Sequence, residues 1–304
     1  LPDWFAAAAV EQFGGEADAV AQALAAPAPR TLRANTLVVP DRDALALELA
    51  ALGIGTRPAQ YAPTALHVDG DADLFATAAY RRGAFEQQDE ASQLAAALVQ
   101  PPPGGRVLDL CAGTGGKTLA ICAALQNRGV VLATDVHERR LAALRERAAR
   151  AGAHNVQVHA LGEPWPAAVA GFAAGADRIL IDAPCTGTGS WRRRPEGRWT
   201  VTAASLPALR ELQDDLLRRA AALLRPGARL IYATCSLLPA ENEQRIAQLC
   251  RNDERLQVVR IAELLGNAVA RPIADATGTF LSLRPDRHGC DGFFTAVLRA
   301  GPRG

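Results

Sequence analysis

Residues 106–118 read RVLDLCAGTGGKT. The first five form a short apolar run that suits a buried strand. Gly113, Gly115 and Gly116 punctuate a turn, and LAICAALQN (119–127) continues as a helix. A strand, a glycine-rich turn and a helix in immediate succession open a Rossmann-type sheet. The glycines let backbone approach a ligand closely, and the helix N-terminus offers unbonded N–H groups.

The same rhythm continues downstream. VVLATD (130–135), NVQVHAL (155–161), DRILIDAP (177–184) and ARLIYATCS (228–236) are four more apolar runs, with helices expected over 138–152 and 206–224. Strands apolar along their whole length belong in a parallel sheet covered on both faces. FFTAVLR (293–299) is expected to add an antiparallel edge strand. Upstream, PPPGG (101–105) is a strong break. Before it, residues 1–28 read as helix ending near Pro27 and Pro29, and TLRANTLVV (31–39) reads as a strand. Asp41 can cap a helix through Leu52 that Gly53 ends, and ALHVD (65–69) reads as another strand. The expected organisation is α/β throughout: a helical segment over 1–28, a small α/β domain over 29–83 and a Rossmann-like domain over 84–304.

With 304 residues, 49% hydrophobic and 21% charged, the chain can bury a large core. Charged residues interrupt every apolar run, so no membrane span is expected. The start, LPDWFAAAAVEQF, carries acids and no basic leader, which argues against a signal peptide and for a cytoplasmic protein. The net charge of +1 excludes a protein that coats nucleic acid by bulk charge, so any such contact must come from local clusters. The clearest is Trp191-Arg192-Arg193-Arg194 through Arg198. It is either a solvated loop or, lying just after DAPCTGTG with two tryptophans, a contact for RNA backbone. Cys111, Cys122, Cys185, Cys235, Cys250 and Cys290 form no C-x-x-C pair, and with the histidines they show no metal-ligand spacing, so no metal is expected and the thiols read as reduced.

Asp135 ends the second strand about 20 residues beyond the turn, where an acid can bind ribose hydroxyls. A dinucleotide and S-adenosylmethionine both fit this pattern. The turn is neither G-x-G-x-x-G nor a P-loop, because its glycines lack the spacing G-x-x-x-x-G-K-[ST]. Lys117 opens a helix whose dipole favours anions there. It is either solvated or meets a polar or anionic ligand.

Two strand ends carry a cysteine, in Asp182-Ala183-Pro184-Cys185 and in Thr234-Cys235-Ser236. Ligands of open α/β sheets bind beyond the carboxyl ends of the strands, so these groups are expected on the cofactor's side. Sulfur has a reason to be there. Carbon 5 of a pyrimidine is a poor nucleophile until a thiolate adds to carbon 6 and makes the ring an enamine; the thiolate must later leave, which it does well. An acid such as Asp182 can orient the base and stabilise the adduct.

DLCAGTGGKT, ATD, DAPCTGTG and YATCSLLPAENE, in this order, resemble the RNA 5-methylcytosine methyltransferases of the RsmB/Nol1/Nop2 (Fmu/Sun) group; FEQQDEASQLAA (85–96) and HGCDGFF (288–294) resemble flanking segments. The resemblance covers roughly residues 30–300. It implies a Rossmann-like class I S-adenosylmethionine-dependent methyltransferase preceded by a small RRM-like domain. It implies Cys235 as nucleophile, Cys185 as the group assisting release, and Asp182 and Lys117 as contacts to the target base. Cys111, Ala112, Gly113, Thr114, Gly115, Gly116, Lys117, Asp135, Gly162 and Asp182 would hold S-adenosylmethionine, and Arg192, Arg193, Arg194 and Arg198 would hold RNA, ribosomal RNA first of all. Gly113-Thr114 stands where the family often has Ala-Pro, which loosens the turn. Gly162-Glu163 stands where an Asp often meets the adenine. The NusB-like RNA-binding domain of the RsmB type has no counterpart in these residues, as expected of a shorter member or a piece of a longer chain. A monomer is expected. Two other readings compete: an NAD-dependent oxidoreductase, which leaves both strand-end cysteines idle, and a non-catalytic RNA-binding or ribosome-assembly factor, which leaves Cys185, Cys235 and Asp182 unexplained.

Overall fold

Asp41 begins the helix foreseen for it: its carboxylate accepts the Ala44 N–H at 2.8 Å and frees helix Arg42–Ala51 of one orphan donor. The helix stops in a Schellman turn. Gly53, at φ +75°, donates to Ala50, and Ile54 donates to Leu49. Leu45 and Leu49, one turn apart, face strands β1 (Thr31–Ala34), β2 (Thr56–Pro58), β3 (Ala65–Val68) and β4 (Phe85–Gln87). These strands form an antiparallel sheet in the order β2-β3-β1-β4. Its core is Leu32, Leu45, Leu49, Leu66, Leu74 and Phe85. β1 ends at Ala34 and not at Val39. Asn35 is buried and folds the chain into a turn: its side-chain oxygen accepts Leu37 N–H, and its amide donates to the carbonyls of Gly83 and Ala151, both at 2.8 Å.

These elements belong to a computed structural model that describes residues 1–302. Two compact units divide it, one built from Arg30–Asp182 and Leu223–Ile231, the other from Leu1–Pro29, Ala183–Ala222 and the chain from Tyr232 onward.

The first unit also holds the parallel strands β5 (Arg106–Asp109), β6 (Val130–Asp135), β7 (Val156–Ala160) and β8 (Arg178–Asp182), with the opening residues of β9 (Arg229–Thr234). Their order is β9-β8-β5-β6-β7. The chain starts at the centre, winds outward through β6 and β7, and restarts at β8 on the other side of β5. That reversal splays the connections apart at the carboxyl end of β5 and makes room for a ligand there.

The second unit contains β10 (Leu256–Val259), β11 (Leu281–Leu283) and β12 (Phe293–Ala300). β12 is antiparallel to both β10 and β11, and it lies between β10 and β9. It is therefore an inner strand and not the expected edge. Its residues explain this: all but Arg299 are buried, and a strand apolar on both faces is costly at an edge. Residues 1–28 also differ from the single helix expected. Gly14, at φ +53°, separates helix Asp3–Phe13 from helix Ala17–Ala25. The two pack Phe5, Val20 and Leu24 around Trp191, with the Phe5 and Trp191 rings edge to face at 4.8 Å. Among the described residues no helix is long and apolar enough to cross a membrane.

Candidate active site

In the first unit the turn after β5 is pinned from three directions. Ala112 N–H donates to Thr134 O at 2.8 Å, Gly113 N–H to the Asp135 Oδ2 at 3.0 Å, and Gly115 N–H to Ala112 O at 2.9 Å. Two glycines are required by geometry. Gly113 sits at φ +56°, with open space where a Cβ would stand. Gly115, at φ +89°, caps helix Gly116–Ala124, and its Cβ would fall 2.6 Å from Leu144 Cγ. Cys111, Ala112, Gly113 and Gly116 are partly exposed, so their backbone can be approached.

Thr114 regains the stiffness that a proline would give. Arg147 Nη1 donates to Thr114 O at 2.7 Å and to its Oγ1 at 2.8 Å, while Glu86 of β4 grips Arg147 at 2.8 Å and Arg150 at 2.5 Å.

Asp135 is buried at the end of β6. Its Oδ2 accepts Gly113 N–H and its Oδ1 accepts His137 N–H at 2.8 Å, and each oxygen can accept a second bond from a ribose hydroxyl. Gly162 follows closely: Leu161 N–H donates to Asp135 O at 2.9 Å, and Gly162 beyond it is exposed. The first N–H groups of helix Gly116–Ala124 lack helical acceptors, which suits a carboxylate. Backbone within reach, a strand-end carboxylate and a helix N-terminus fit S-adenosylmethionine.

The oddly placed Lys117 has a partner. Its Nζ donates to Asp182 Oδ2 at 2.7 Å; the lysine side chain is 8% exposed and the aspartate 34%. The ion pair offsets the cost of a cation at a helix N-terminus and leaves Asp182 accessible. Asp109, wholly buried beneath them, accepts Thr118 Oγ1 at 2.6 Å. Burial pushes its carboxyl from an ordinary 3.8 up to about 7, and the neighbouring carboxylates of Asp182 and Asp135 add to the effect against Thr118 and Lys117. From residue type alone this acid reads as part of an apolar strand.

In the second unit, Cys185 Sγ and Cys235 Sγ lie 3.5 Å apart. The hydrogen bond to Cys235 holds the Cys185 thiol well above its usual range, with burial and the negative charges of Cys235 and Glu241 acting in the same direction and Gly187 N–H opposing. Its surroundings thus favour the protonated Cys185, although either sulfur can be the donor of the contact. Behind the sulfurs lies a carboxylate that sequence reading passed over within YATCSLLPAENE. Glu241 is fully buried and accepts Thr186 N–H at 2.9 Å, Thr186 Oγ1 at 2.5 Å, Ser236 Oγ at 2.5 Å and Gln213 Nε2 at 3.0 Å.

The arginine cluster is arranged otherwise than a phosphate-binding loop requires. Arg192 and Arg193 both grip Asp291, each Nε at 2.7 Å from one of its oxygens, and reach onward to Gly289 O and Pro29 O. Arg198 Nη2 donates to Leu24 O at 2.6 Å. These three serve the protein's own packing: Asp291 is buried and needs cationic partners. Arg194 is exposed, and Trp199 is 78% exposed beside it in the chain, whereas Trp191 is buried.

The chain is similar to known proteins over most of its length. A 16S rRNA methyltransferase RsmB/F family model matches residues 96–299, and a ferredoxin-like domain of RsmF/B-like proteins matches residues 1–74. The chain is 30% identical over 303 residues to a probable ribosomal RNA small subunit methyltransferase B of Bacillus subtilis, covering 98% of this chain and 66% of that protein. It is 32% identical over 284 residues to a ribosomal RNA small subunit methyltransferase F of Cronobacter sakazakii, covering 90% and 57%. The chain thus spans less than two thirds of these relatives. A methyltransferase homologue from Pyrococcus horikoshii superposes with a TM-score of 0.83 at 28% identity, covering 99% of this chain and 95% of that one. The order β2-β3-β1-β4 is ferredoxin-like, and the parallel sheet is that of Rossmann-like S-adenosylmethionine-dependent methyltransferases.

The buried Asp109 makes stability depend on pH. Its carboxyl ionises later in the folded chain than in the unfolded one, so its contribution is complete below about pH 4 and is lost as pH rises through about 7. Asp109→Asn removes the effect. The variant should gain about 3 kcal/mol relative to the parent between pH 5 and pH 8, read from urea unfolding at both values. An equal difference at the two pH values contradicts the assignment.

Proposed function

Because the chain belongs to the RsmB/F family of 16S rRNA methyltransferases, an S-adenosylmethionine-dependent family, we propose that it methylates carbon 5 of a cytosine in ribosomal RNA, with Cys235 as covalent nucleophile. The observation that carries this reading is the 3.5 Å contact between two thiols of which Cys185 retains its proton. An S–H donor lowers the cost of a thiolate on Cys235, and the raised Cys185 thiol supports this division of roles. The Cys235 thiolate adds to carbon 6 of the base, and the electron pair displaced from the 5,6 double bond makes carbon 5 nucleophilic. S-adenosylmethionine supplies the methyl electrophile. Cys111 to Lys117, Asp135 and Gly162 are the residues assigned to hold it. Asp182, fixed by Lys117, is assigned to the amino edge of the cytosine, where a carboxylate accepts its N–H and restrains the ring.

Release requires both the carbon 5 proton and the Cys235 sulfur to leave. Cys185 is assigned to this step. It passes its S–H proton to the departing sulfur and takes up the carbon 5 proton in exchange; one proton is finally lost to solvent, and the 5,6 double bond re-forms. The domain divisions at residues 28/29 and 83/84 remain part of this proposal. An NAD-dependent oxidoreductase fits neither the family match nor the thiol pair.

Exchanging the cysteines separates their roles. Cys235→Ala should abolish methyl transfer to ribosomal RNA. Cys185→Ala should still attack and methylate but stall at elimination, so that a protein–RNA adduct accumulates as a shifted band on a denaturing gel. Adduct formation by Cys235→Ala with an inert Cys185→Ala would reverse the assignment. Unpaired RNA should react best, since extracting a paired base costs a few kcal/mol.

The same reading moves the RNA contact to Arg194 and Trp199. Trp199→Ala should weaken binding of single-stranded RNA about fivefold or more, the loss of one stacked base, and Arg194→Ala should reduce the salt slope by about one charge. Arg192→Ala should instead lower stability by freeing the buried Asp291. If Arg192→Ala changes the salt slope and Trp199→Ala leaves affinity intact, the loop works through its arginines alone.

A further inference from the structure

Glu241 has no part in the chemistry just assigned, yet few side chains here are tied to so much of it. A wholly buried carboxylate is costly unless hydrogen bonds answer its charge. Here they come from both cysteine-bearing loops. Thr186, which donates through both its N–H and its hydroxyl, directly follows Cys185; Ser236, which donates through its hydroxyl, directly follows Cys235. Gln213 of helix Leu206–Leu223 donates to Glu241 Oε1 and to Pro184 O at 2.9 Å, so it holds the start of the first loop as well.

The backbone of Glu241 is fixed in turn. Tyr232 hydroxyl donates to Glu241 O at 2.7 Å, and Asn242 takes the Thr234 hydroxyl at 2.5 Å while donating to Ser236 O at 2.9 Å. Residues on either side of Cys235 are thereby bound to the segment that carries Glu241. Cys235 itself is fixed through its carbonyl, which accepts Gly189 N–H at 2.9 Å, and Leu237 N–H reaches the Thr188 hydroxyl at 2.8 Å. Every bond runs between the loop after β8 and the loop after β9, or anchors one of them. None touches a sulfur.

We infer that Glu241 is a positioning residue for the thiol pair: its carboxylate draws Thr186 and Ser236 to one point and so holds Cys185 and Cys235 in contact. No covalent link makes the two sulfurs stop 3.5 Å apart; the Ser236 hydroxyl meets those of Thr186 at 3.2 Å and Thr188 at 3.3 Å, and the shared buried carboxylate is the one charged group that gathers them. The chemical role given to the contact rests on Cys235 being the nucleophile; the contact itself can be measured without RNA or cofactor.

The probe is dibromobimane, which becomes fluorescent when it bridges two nearby thiols, applied to the full chain with the other four cysteines replaced by serine or alanine. Glu241→Ala removes four hydrogen bonds, leaves the loops only direct ties such as the 3.2 Å Thr186–Ser236 hydroxyl contact, and should slow bridging about tenfold. In methylation of ribosomal RNA, kcat should fall by a similar factor while KM for S-adenosylmethionine stays within about twofold, because the cofactor's residues are elsewhere in the chain. Glu241→Asp keeps the acceptor but shortens it, and should recover part of the bridging rate and of kcat together. A general loss of structure would lower far-ultraviolet dichroism and raise KM as well. Should Glu241→Ala not fold, Glu241→Asp and Glu241→Gln carry the test. Bridging at the parent rate in folded variants overturns the inference. Loss of bridging in a protein whose parent forms no RNA adduct leaves the positioning role standing and refutes the nucleophile assignment.

Discussion

Two sulfurs 3.5 Å apart cannot both carry a negative charge cheaply. One must keep its proton if the other is to ionise, and the protein decides which. Cys185 is disfavoured as an anion by its hydrogen bond to Cys235, by burial and by the charge of Glu241. On the proposed reading, that inequality makes one of two identical side chains the nucleophile and the other the proton carrier. The two loops, the helix that contributes Gln213 and strand β9 together fix the segments on which the sulfurs stand.

A parallel constraint governs the cofactor side. Asp109, Asp135 and Asp182 crowd the carboxyl ends of β5, β6 and β8, where Lys117 pairs with Asp182 and Arg140 lies 3.8 Å from Asp135. The crowding is relieved in three ways. Asp182 pairs with Lys117, Asp135 takes two backbone N–H groups, and Asp109 holds its proton to about pH 7. Only Asp109 is wholly removed from water, so it is the one that goes uncharged. Asp135 and Asp182 are left able to bind polar groups of a ligand.

Much of this was legible in the chain. Short apolar runs around CAGTGGKT fix a parallel sheet, because period and length leave few alternatives, and the cap at Asp41 and the stop at Gly53 are written in residue type. What escaped reading depends on partners remote in sequence. Lys117 looked misplaced until Asp182, 65 residues on, stood beside it. The arginines after DAPCTGTG read as a phosphate loop because Asp291, about 99 residues away from Arg192, gives no local sign of being buried between them. β12 read as an edge because it is last in the chain, although its unbroken apolar character says otherwise. Glu241 is the plainest case: an acid in a motif looks exposed, and only the fold shows four donors around it.

The central claim is that Cys235 forms the bond to the base. It is tested most directly with 16S rRNA fragments transcribed with 5-fluorocytidine and incubated with the protein and S-adenosylmethionine. Fluorine at carbon 5 cannot leave as a proton does, so the methylated adduct cannot eliminate. After nuclease and protease digestion, mass spectrometry should find a nucleotide carrying both methyl and fluorine on the peptide that contains Cys235. The same mass on the Cys185 peptide, or no adduct with an RNA that the protein methylates in its unfluorinated form, would contradict the account.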